Sequence, residues 1–236
     1  MTKNYFLYIL FLLNLFNVAS GFADEKPLYQ FISSSGEGIG KVYMGREIAH
    51  VMGYQGASWL ERENREKEER TDLLLTSLAL QKGMVVADIG AGTGYLSKRM
   101  ADAVGITGTI YAVDIQPEMV GKLKVLAKQY SNIKPVLSQQ DNVNLPANTV
   151  DLAIMVDVYH ELEFPFEVVH SIINTLRPNG RLVLVEYRAE DDQVPIKATH
   201  KMTEAQVIKE LTAQPLIWEK TINNLPWQHI VVFKKR

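Results

Sequence analysis

The sequence predicts an α/β fold, a doubly wound seven-stranded sheet that is mostly parallel and has an antiparallel last strand. Three observations support this prediction. Apolar runs alternate with helical segments from Met84 onward, which is the pattern of a parallel sheet covered by helices. The runs are nearly continuous in apolar residues, as in strands that are buried on both faces. The chain has 236 residues, 47% of them hydrophobic, and can therefore form one domain with a large core.

Composition excludes several kinds of partner and site. The formal net charge is -2, so the chain has no basic field that would hold a nucleic acid. The absence of cysteine excludes a disulfide, a thiolate nucleophile and a cysteine-ligated metal site. We therefore expect no nucleic acid partner.

The first 23 residues are predicted to be a signal peptide. Lys3 is followed by twenty uncharged residues, and the small residues Gly21 and Ala23 suit cleavage after Ala23. This predicts an exported protein, periplasmic or secreted. The alternative is a membrane anchor, because twenty residues are just long enough to span a bilayer. In that case the protein would contact the membrane only through this N-terminal segment.

Residues 24–82 are predicted to form two segments ahead of the sheet. Residues 24–44 contain serine and glycine without clear periodicity, which is typical of a tether. Residues 45–82 are predicted to be a helical lid, with one long helix from Ser58 to Leu80. Its acids precede basic residues by four positions, the favourable order for pairs on a helix. The predicted pairs are Glu61 with Arg65, Glu63 with Lys67 and Glu66 with Arg70.

Residues 83–236 contain the predicted sheet, element by element. The predicted strands, in chain order, are "MVVADIG", "TIYAVDI", "IKPVLSQ", "VDLAIMVD", "RLVLVEY", "LIWEKTINNL" and "WQHIVVFKK". Helices are predicted after the first strand, to Val104; after the second, from Pro117 to Tyr130; after the fourth, as "PFEVVHSIINTL"; and after Glu204. "RPNG" at 177–180 is predicted to be a turn. The last two strands are joined too tightly for a crossover and must be antiparallel.

A glycine-rich turn follows the first strand of this sheet. Ligands of doubly wound sheets bind at the carboxyl ends of the strands, where the first strand leads into its helix. Gly90, Gly92 and Gly94 lie in that turn, with Tyr95 where the dinucleotide fingerprint requires a third glycine. Asp88 would repel a pyrophosphate but suits a ligand that carries an ammonium group. The turn therefore favours a zwitterionic ligand.

Acidic and amide residues after the next two strands predict an adenosine pocket. Asp114 ends the second strand and suits the two hydroxyls of a ribose. Ile115 would lie against the face of a purine. Asp141 and Asn142 follow the third strand, where a carboxylate can accept a hydrogen bond from an exocyclic amine.

Four segments in this order resemble class I S-adenosylmethionine-dependent methyltransferases of the small-molecule type. "DIGAGTG" resembles their first motif, "VDIQPEM" their ribose-binding segment, and residues 141–146 the stretch that frames adenine. "LPANTVDLAIMVDVYHEL" and "LRPNGRLVLVEYR" resemble their fourth and fifth strands. The resemblance implies a Rossmann-like methyltransferase domain at residues 83–236 with S-adenosylmethionine as its cofactor and a small-molecule substrate. The implied cofactor-binding residues are Asp88, Gly90, Gly92, Gly94, Asp114, Ile115, Asp141 and Asn142.

The catalytic candidates follow the fourth strand of the sheet. Asp157, Tyr159 and His160 emerge at its carboxyl end, beside the expected sulfonium. His160 is the candidate general base, because histidine titrates near neutrality, and Asp157 or Glu161 would orient it. No metal is expected, since the H-E-x-x-H motif requires a second histidine where Phe164 stands.

Further candidates for substrate contact lie in the loop after the fifth strand and in the N-terminal segment. They are Glu186, Tyr187, Arg188, His200 and Lys201 in the loop, and Tyr43, Arg46, Tyr54 and Trp59 ahead of the sheet.

Two other functions remain open at the level of sequence. The first is an NAD-type oxidoreductase, which Tyr95 and Asp88 disfavour. The second is a protein that binds S-adenosylmethionine or S-adenosylhomocysteine without catalysis. An exported protein favours this second function, because the donor is made in the cytoplasm.

Overall fold

The computed structural model describes residues 28–236, so the predicted signal peptide lies outside the described residues. The strands are β1 Tyr29–Phe31, β2 Gly38–Tyr43, β3 Arg46–Ala49, β4 Val85–Ile89, β5 Thr109–Asp114, β6 Ile133–Leu137, β7 Val150–Val156, β8 Leu176–Arg188, β9 Lys201–Met202, β10 Leu216–Ile222 and β11 Gln228–Lys235. The helices are α1 Ala57–Leu60, α2 Arg65–Glu69, α3 Thr71–Leu78, α4 Tyr95–Val104, α5 Pro117–Leu126, α6 Pro165–Thr175 and α7 Glu204–Thr212.

The main sheet confirms the predicted fold. Its strand order is β10-β11-β8-β7-β4-β5-β6, and the short strand β9 pairs with β8. Strands β4 to β8 are parallel, whereas β11 runs antiparallel to β8 and β10. The chain moves outward from β4 through β5 to β6 and then returns to place β7 on the other side of β4. The point where the order reverses, between β4 and β7, is where ligands bind in such sheets.

Two apolar layers bury the faces of this sheet. One contains α6 and α7 with residues such as Met155 and Ile172. The other contains α3, α4 and α5 with residues such as Met100, Leu123 and Ile154. Both layers hold the sheet rigid, so the carboxyl ends of its strands form a fixed platform.

The segment ahead of the sheet differs from its prediction. Most of the described part of the predicted tether, residues 28–44, forms β1 and β2, which join β3 in an antiparallel sheet. The serine- and glycine-rich stretch is a connection between strands: Ile32 donates to the carbonyl of Gly40 at 2.9 Å. The predicted lid accordingly contains β3 as well as helices.

The long helix predicted from Ser58 to Leu80 is wrong, since this stretch forms three short helices. Arg70 separates α2 from α3 with a left-handed backbone at φ 51°. The ion pairs within residues 58–80 also differ from the predicted ones. Glu69 binds Arg65 at 2.8 Å and Arg62 at 2.6 Å, and Tyr187 on β8 donates to the same carboxylate at 3.2 Å. The carboxylate of Glu69 thus links the N-terminal helical segment to strand β8 of the main sheet.

Among residues 28–236, no helix has the length and apolar character that crossing a bilayer requires.

Candidate functional site

The glycine-rich turn leads from β4 into α4 at the point where the strand order reverses. Gly90, Gly92 and Gly94 have φ values of 73°, 56° and 84°, a left-handed conformation that glycine adopts without strain. A Cβ on Gly90 would lie 2.5 Å from Val158, and one on Gly92 would lie 2.5 Å from Leu60. The turn therefore requires glycine for its conformation and also for the close approach of these two side chains.

Asp114 at the end of β5 closes the turn from the side. Its Oδ2 accepts from the backbone N–H of Gly92 at 2.9 Å, and its Oδ1 accepts from that of Gln116 at 2.9 Å. Burial raises the pKa of this carboxyl group, while the N–H donors lower it. The carboxylate is therefore fixed in orientation at the switch point, next to the predicted ligand turn.

Asp88 lies below the turn, within β4. Its side chain is buried, and its Oδ2 accepts from Ser97 Oγ at 2.5 Å. Burial raises the pKa of Asp88 to about 6, against the opposing effects of Ser97 and Arg65. The acid thus anchors the first turn of α4 to the strand.

The predicted purine-binding residues lie along the ends of β5 and β6. Ile115 is 41% exposed, as an apolar contact for a ligand requires. Asn142 Oδ1 accepts from the backbone of Asn144 at 2.8 Å and from Ser171 at 3.2 Å. Asp141 is exposed and lines a surface cavity of about 360 Å³.

Part of the predicted lid crosses this edge of the sheet. We call residues 50–56 the strap. Gln116 accepts from the backbone of Tyr54 at 2.7 Å and donates to the carbonyl of Met52 at 3.1 Å. The backbone N–H of Met52 donates to Glu161 Oε2 at 3.1 Å. The strap therefore links the loop after β5 to the loop after β7, across the crevice at the switch point.

Asp157 directly follows β7 and has a strained, left-handed backbone at φ 55°. Its Oδ2 accepts from Gln228 at 3.1 Å, and its Oδ1 has no hydrogen-bond partner among the described residues. Burial raises the pKa of Asp157, and the nearby Glu69 and Glu186 raise it further. Gln228, rather than His160, is therefore the residue that Asp157 contacts.

His160 is held by an acid that the sequence did not pair with it. Its Nδ1 lies 2.5 Å from Glu186 Oε2 on β8, and both side chains are buried. Its Nε2 lies 3.2 Å from Nδ1 of His200. The predicted orienting residues were Asp157 and Glu161; Glu186 occupies that position instead, and Glu161 lies on the Nε2 side at 3.9 Å.

The remaining candidates have mostly structural contacts. Tyr159 is buried against Arg46, and burial raises its pKa. Tyr43 is buried, and Arg188 and Lys201 donate to backbone carbonyls. Of the aromatic candidates ahead of the sheet, Tyr54 and Trp59 are exposed at 41% and 46% and are therefore open to a ligand.

Sequence comparison finds relatives for the part of the chain that forms this site. A family model described as "Methyltransferase domain" matches residues 80–234. The ubiquinone/menaquinone biosynthesis C-methyltransferase UbiE of Pseudomonas aeruginosa is 30% identical over 122 residues, 50% of this chain and 48% of that protein. A demethylmenaquinone methyltransferase of Geobacillus is 28% identical over 109 residues, 45% of this chain and 47% of that protein. The chain thus spans about half the length of these curated relatives.

Solved structures share the fold. A SAM-dependent methyltransferase from Aquifex aeolicus has a TM-score of 0.74 at 22% identity, covering 79% of this chain and 100% of that one. Aeropyrum pernix fibrillarin, solved with natively bound S-adenosyl-L-methionine, has a TM-score of 0.52 at 18% identity, covering 70% of this chain and 73% of that one.

Proposed function

The chain belongs to the methyltransferase-domain family, and on that premise we propose that it transfers the methyl group of S-adenosylmethionine to a small molecule. One observation carries the proposal. Asp114, fixed by the backbone N–H groups of Gly92 and Gln116, joins the end of β5 to the glycine-rich turn at the switch point. This combination suits a nucleoside whose ribose hydroxyls face the acid and whose tail follows the turn.

Charge favours a cationic donor over a diphosphate. Asp88 precedes the turn within β4 and Asp114 contacts it from the end of β5, and burial raises the pKa of each. A pyrophosphate would add two negative charges beside these acids, whereas a sulfonium with an ammonium group balances them. A ribose diol that donates to Asp114 would also offset the cost of its burial.

The cofactor contacts follow from these positions. The turn from Gly90 to Gly94 would hold the methionine part, and Asp114 the ribose. Ile115, which is 41% exposed, would cover one face of the adenine. Asp141 and Asn142 would frame its edge.

The chemistry places few demands on the protein beyond alignment. The acceptor attacks the methyl carbon in line with the departing sulfur, and holding both groups in place removes about 7–11 kcal/mol of the barrier. A hydroxyl or carbon acceptor also needs to lose a proton, for which a general base adds typically 10²–10⁴-fold. The geometry does not support a free His160 as this base, because both of its ring nitrogens have partners. Asp157 is no better placed, because its Oδ1 is buried and burial raises the pKa of its carboxyl group, which favours the protonated acid. We therefore propose no general base among these residues.

The acceptor is proposed only as a small molecule. The Pseudomonas relative is named as a C-methyltransferase of ubiquinone and menaquinone biosynthesis and the Geobacillus relative as a demethylmenaquinone methyltransferase, but the similarity covers about half of each protein. Export through residues 1–23, with a membrane anchor as the alternative, is a separate proposal. N-terminal sequencing of the native protein tests it.

Calorimetry with the purified protein tests the cofactor. We expect S-adenosylmethionine to bind and NAD to give no heat. Asp114→Asn removes the charge that the ribose hydroxyls face, which should weaken binding by about 10-fold or more, since a hydrogen bond to a charged group contributes roughly 1.5–3 kcal/mol. Asp102→Asn is the control, because Asp102 is exposed on α4. Binding of NAD alone would instead indicate an oxidoreductase.

Catalysis is tested by incubating the protein with isotope-labelled donor and a metabolite extract. We expect label in at least one small molecule. Donor binding without any labelled product would indicate a protein that binds the donor without catalysis.

A further inference from the structure

We propose that His160, Glu161 and His200 bind a divalent transition-metal ion. Metal binding goes beyond the proposed function and does not depend on it. The sequence predicted no metal, because no second histidine follows His160 at the spacing of a local motif. The second histidine comes instead from a residue 40 positions later in the chain, which the fold brings to the same place.

The three potential ligand atoms converge. His160 Nε2 lies 3.2 Å from His200 Nδ1, and His200 Nδ1 lies 3.4 Å from Glu161 Oε1. The remaining distance, from His160 Nε2 to Glu161 Oε1, is 3.9 Å. Ligands placed roughly 2.0–2.1 Å from a tetrahedral Zn²⁺ are about 3.3–3.4 Å apart. The triad therefore needs little movement to hold such an ion.

Hydrogen bonds outside the triad orient its ligands. Glu186 Oε2 lies 2.5 Å from His160 Nδ1, and Glu186 Oε1 accepts from the backbone N–H of Tyr159 at 3.0 Å. A carboxylate at Nδ1 holds the ring proton there, which leaves the Nε2 lone pair directed at the site. The backbone N–H of Met52 binds Glu161 Oε2 at 3.1 Å. The other carboxylate oxygen of Glu161, Oε1, faces the two histidines.

The ligands lie in turns that adjoin strands of the main sheet. His160 and Glu161 lie in a 3₁₀ turn shortly after β7, and Glu186 lies on β8, an interior strand of the sheet. His200 ends a 3₁₀ turn that continues into β9, which pairs with β8. Arg46 donates to the backbone carbonyl of His160 at 3.1 Å. The three ligands therefore lie in turns held against the sheet by hydrogen bonds to Glu186 on β8 and to Arg46 on β3, which preorganises the site.

Charge balance favours a dication. Glu161 and Glu186 contribute two formal negative charges, and neutral imidazoles contribute none. The positive charge of Arg46 is already paired with Glu210, at 2.9 Å and 3.0 Å. Two imidazoles and one carboxylate suit Zn²⁺ and other first-row transition ions, whereas Mg²⁺ and Ca²⁺ prefer oxygen ligands.

The position of the site suggests its use. Three protein ligands leave a coordination position open, and an ion in such a site binds and polarises an oxygen of a small molecule. Met52 of the strap donates to Glu161 and accepts from Gln116, so the site lies beside the crevice at the switch point. If the proposed function holds, the ion would orient an oxygen-bearing acceptor towards the donor.

Metal titration of the purified protein after treatment with a chelator tests the proposal. We expect one Zn²⁺ or Co²⁺ per chain, visible absorption bands from bound Co²⁺, and no heat with Mg²⁺ at the same concentration. Donor affinity is measured separately in the same samples, so failure of the proposed function leaves this test intact.

Variants show whether the named residues bind the ion. His200→Ala should weaken Co²⁺ and Zn²⁺ binding more than 100-fold, because it removes a ligand; Glu186→Gln should weaken it about 10–100-fold, the usual effect of an outer hydrogen-bond partner. His200 is partly exposed, so its replacement should preserve the fold, which circular dichroism checks. His170→Ala, on the exposed face of α6, is the control and should bind as the parent does. The proposal is overturned if the parent protein binds no ion, or if His200→Ala binds as tightly as the control; the two histidines then form only a hydrogen-bonded pair.

Discussion

At the residue scale, Asp88 combines a ligand motif with a buried charge. It is the acid of the "DIGAGTG" segment, yet the residue is only 3% exposed and its Oδ2 accepts a hydrogen bond from Ser97. Burial favours the neutral carboxyl group, and its pKa is raised from 3.8 to about 6. The acid therefore destabilises the unliganded protein at neutral pH.

This pKa predicts a pH dependence of stability. Below pH 3.8 Asp88 is protonated in both the native and the unfolded state. Between pH 3.8 and about 6 only the native state keeps this proton. The contribution of Asp88 to stability is therefore lost as the pH rises through that range. Asp88→Asn stays neutral at all pH values and keeps an acceptor for Ser97. It should match the parent at pH 4 and be more stable by up to about 3 kcal/mol at pH 8. Urea unfolding at several pH values measures the difference.

The control for this prediction is Asp102→Asn, since Asp102 is exposed on the same helix–strand unit. Its difference from the parent should stay near zero across the pH range. A constant offset between Asp88→Asn and the parent would contradict the assigned titration.

At the element scale, left-handed residues decide where the N-terminal helices end. The sequence predicts one helix from Ser58 to Leu80 because its charges and leucines suit a helix. Arg70 and Ala79 instead have φ values of 51° and 50°, which end α2 and α3. Helix propensity is a weak preference, and docking of each short helix on the sheet overrides it.

Ala79 offers a test of this backbone strain. A residue with a Cβ is disfavoured in the left-handed conformation, so glycine is the usual residue after a helix end. Ala79→Gly should raise the free energy of unfolding by about 0.5–1 kcal/mol, measured by urea denaturation.

The matched control is Ala213→Gly, at the end of α7. Ala213 is also exposed but has a right-handed backbone at φ -65°. The same substitution there should lower stability, because glycine only gains freedom in the unfolded chain. Equal effects at the two sites would refute the role of handedness.

At the scale of the whole molecule, one buried ion pair joins the N-terminal sheet to the main sheet's helices. Arg46 on β3 binds both oxygens of Glu210 on α7, with side-chain exposures of 10% and 0%. Such a pair contributes little net stability but is costly to break, since removing one partner leaves a buried charge.

Arg46→Met should therefore lower the free energy of unfolding by about 3–5 kcal/mol. The double variant Arg46→Met with Glu210→Leu should recover most of the loss, because no unpaired charge remains. Denaturation of the two single variants and the double variant measures the coupling. Additive losses in the double variant would show that the two side chains act independently.

The sequence by itself determined seven strands of the main sheet, the antiparallel last strand and the position of the glycine-rich turn. The turn predicted at 177–180 is wrong, because these residues belong to β8. These features depend on local patterns. Buried parallel strands are continuous apolar runs, and a turn that needs left-handed backbone is marked by glycine. Asp114 could be identified because the end of a strand fixes where its side chain lies.

Only the tertiary structure decided which side chains meet. The pairing of His160 with Glu186, the approach of His200, and the strap from Met52 to Gln116 join residues far apart in the chain. The serine- and glycine-rich N-terminal stretch became part of a sheet for the same reason. Such contacts depend on how the strands order themselves and on what each buried polar group finds as a partner, and neither leaves a local pattern in the sequence.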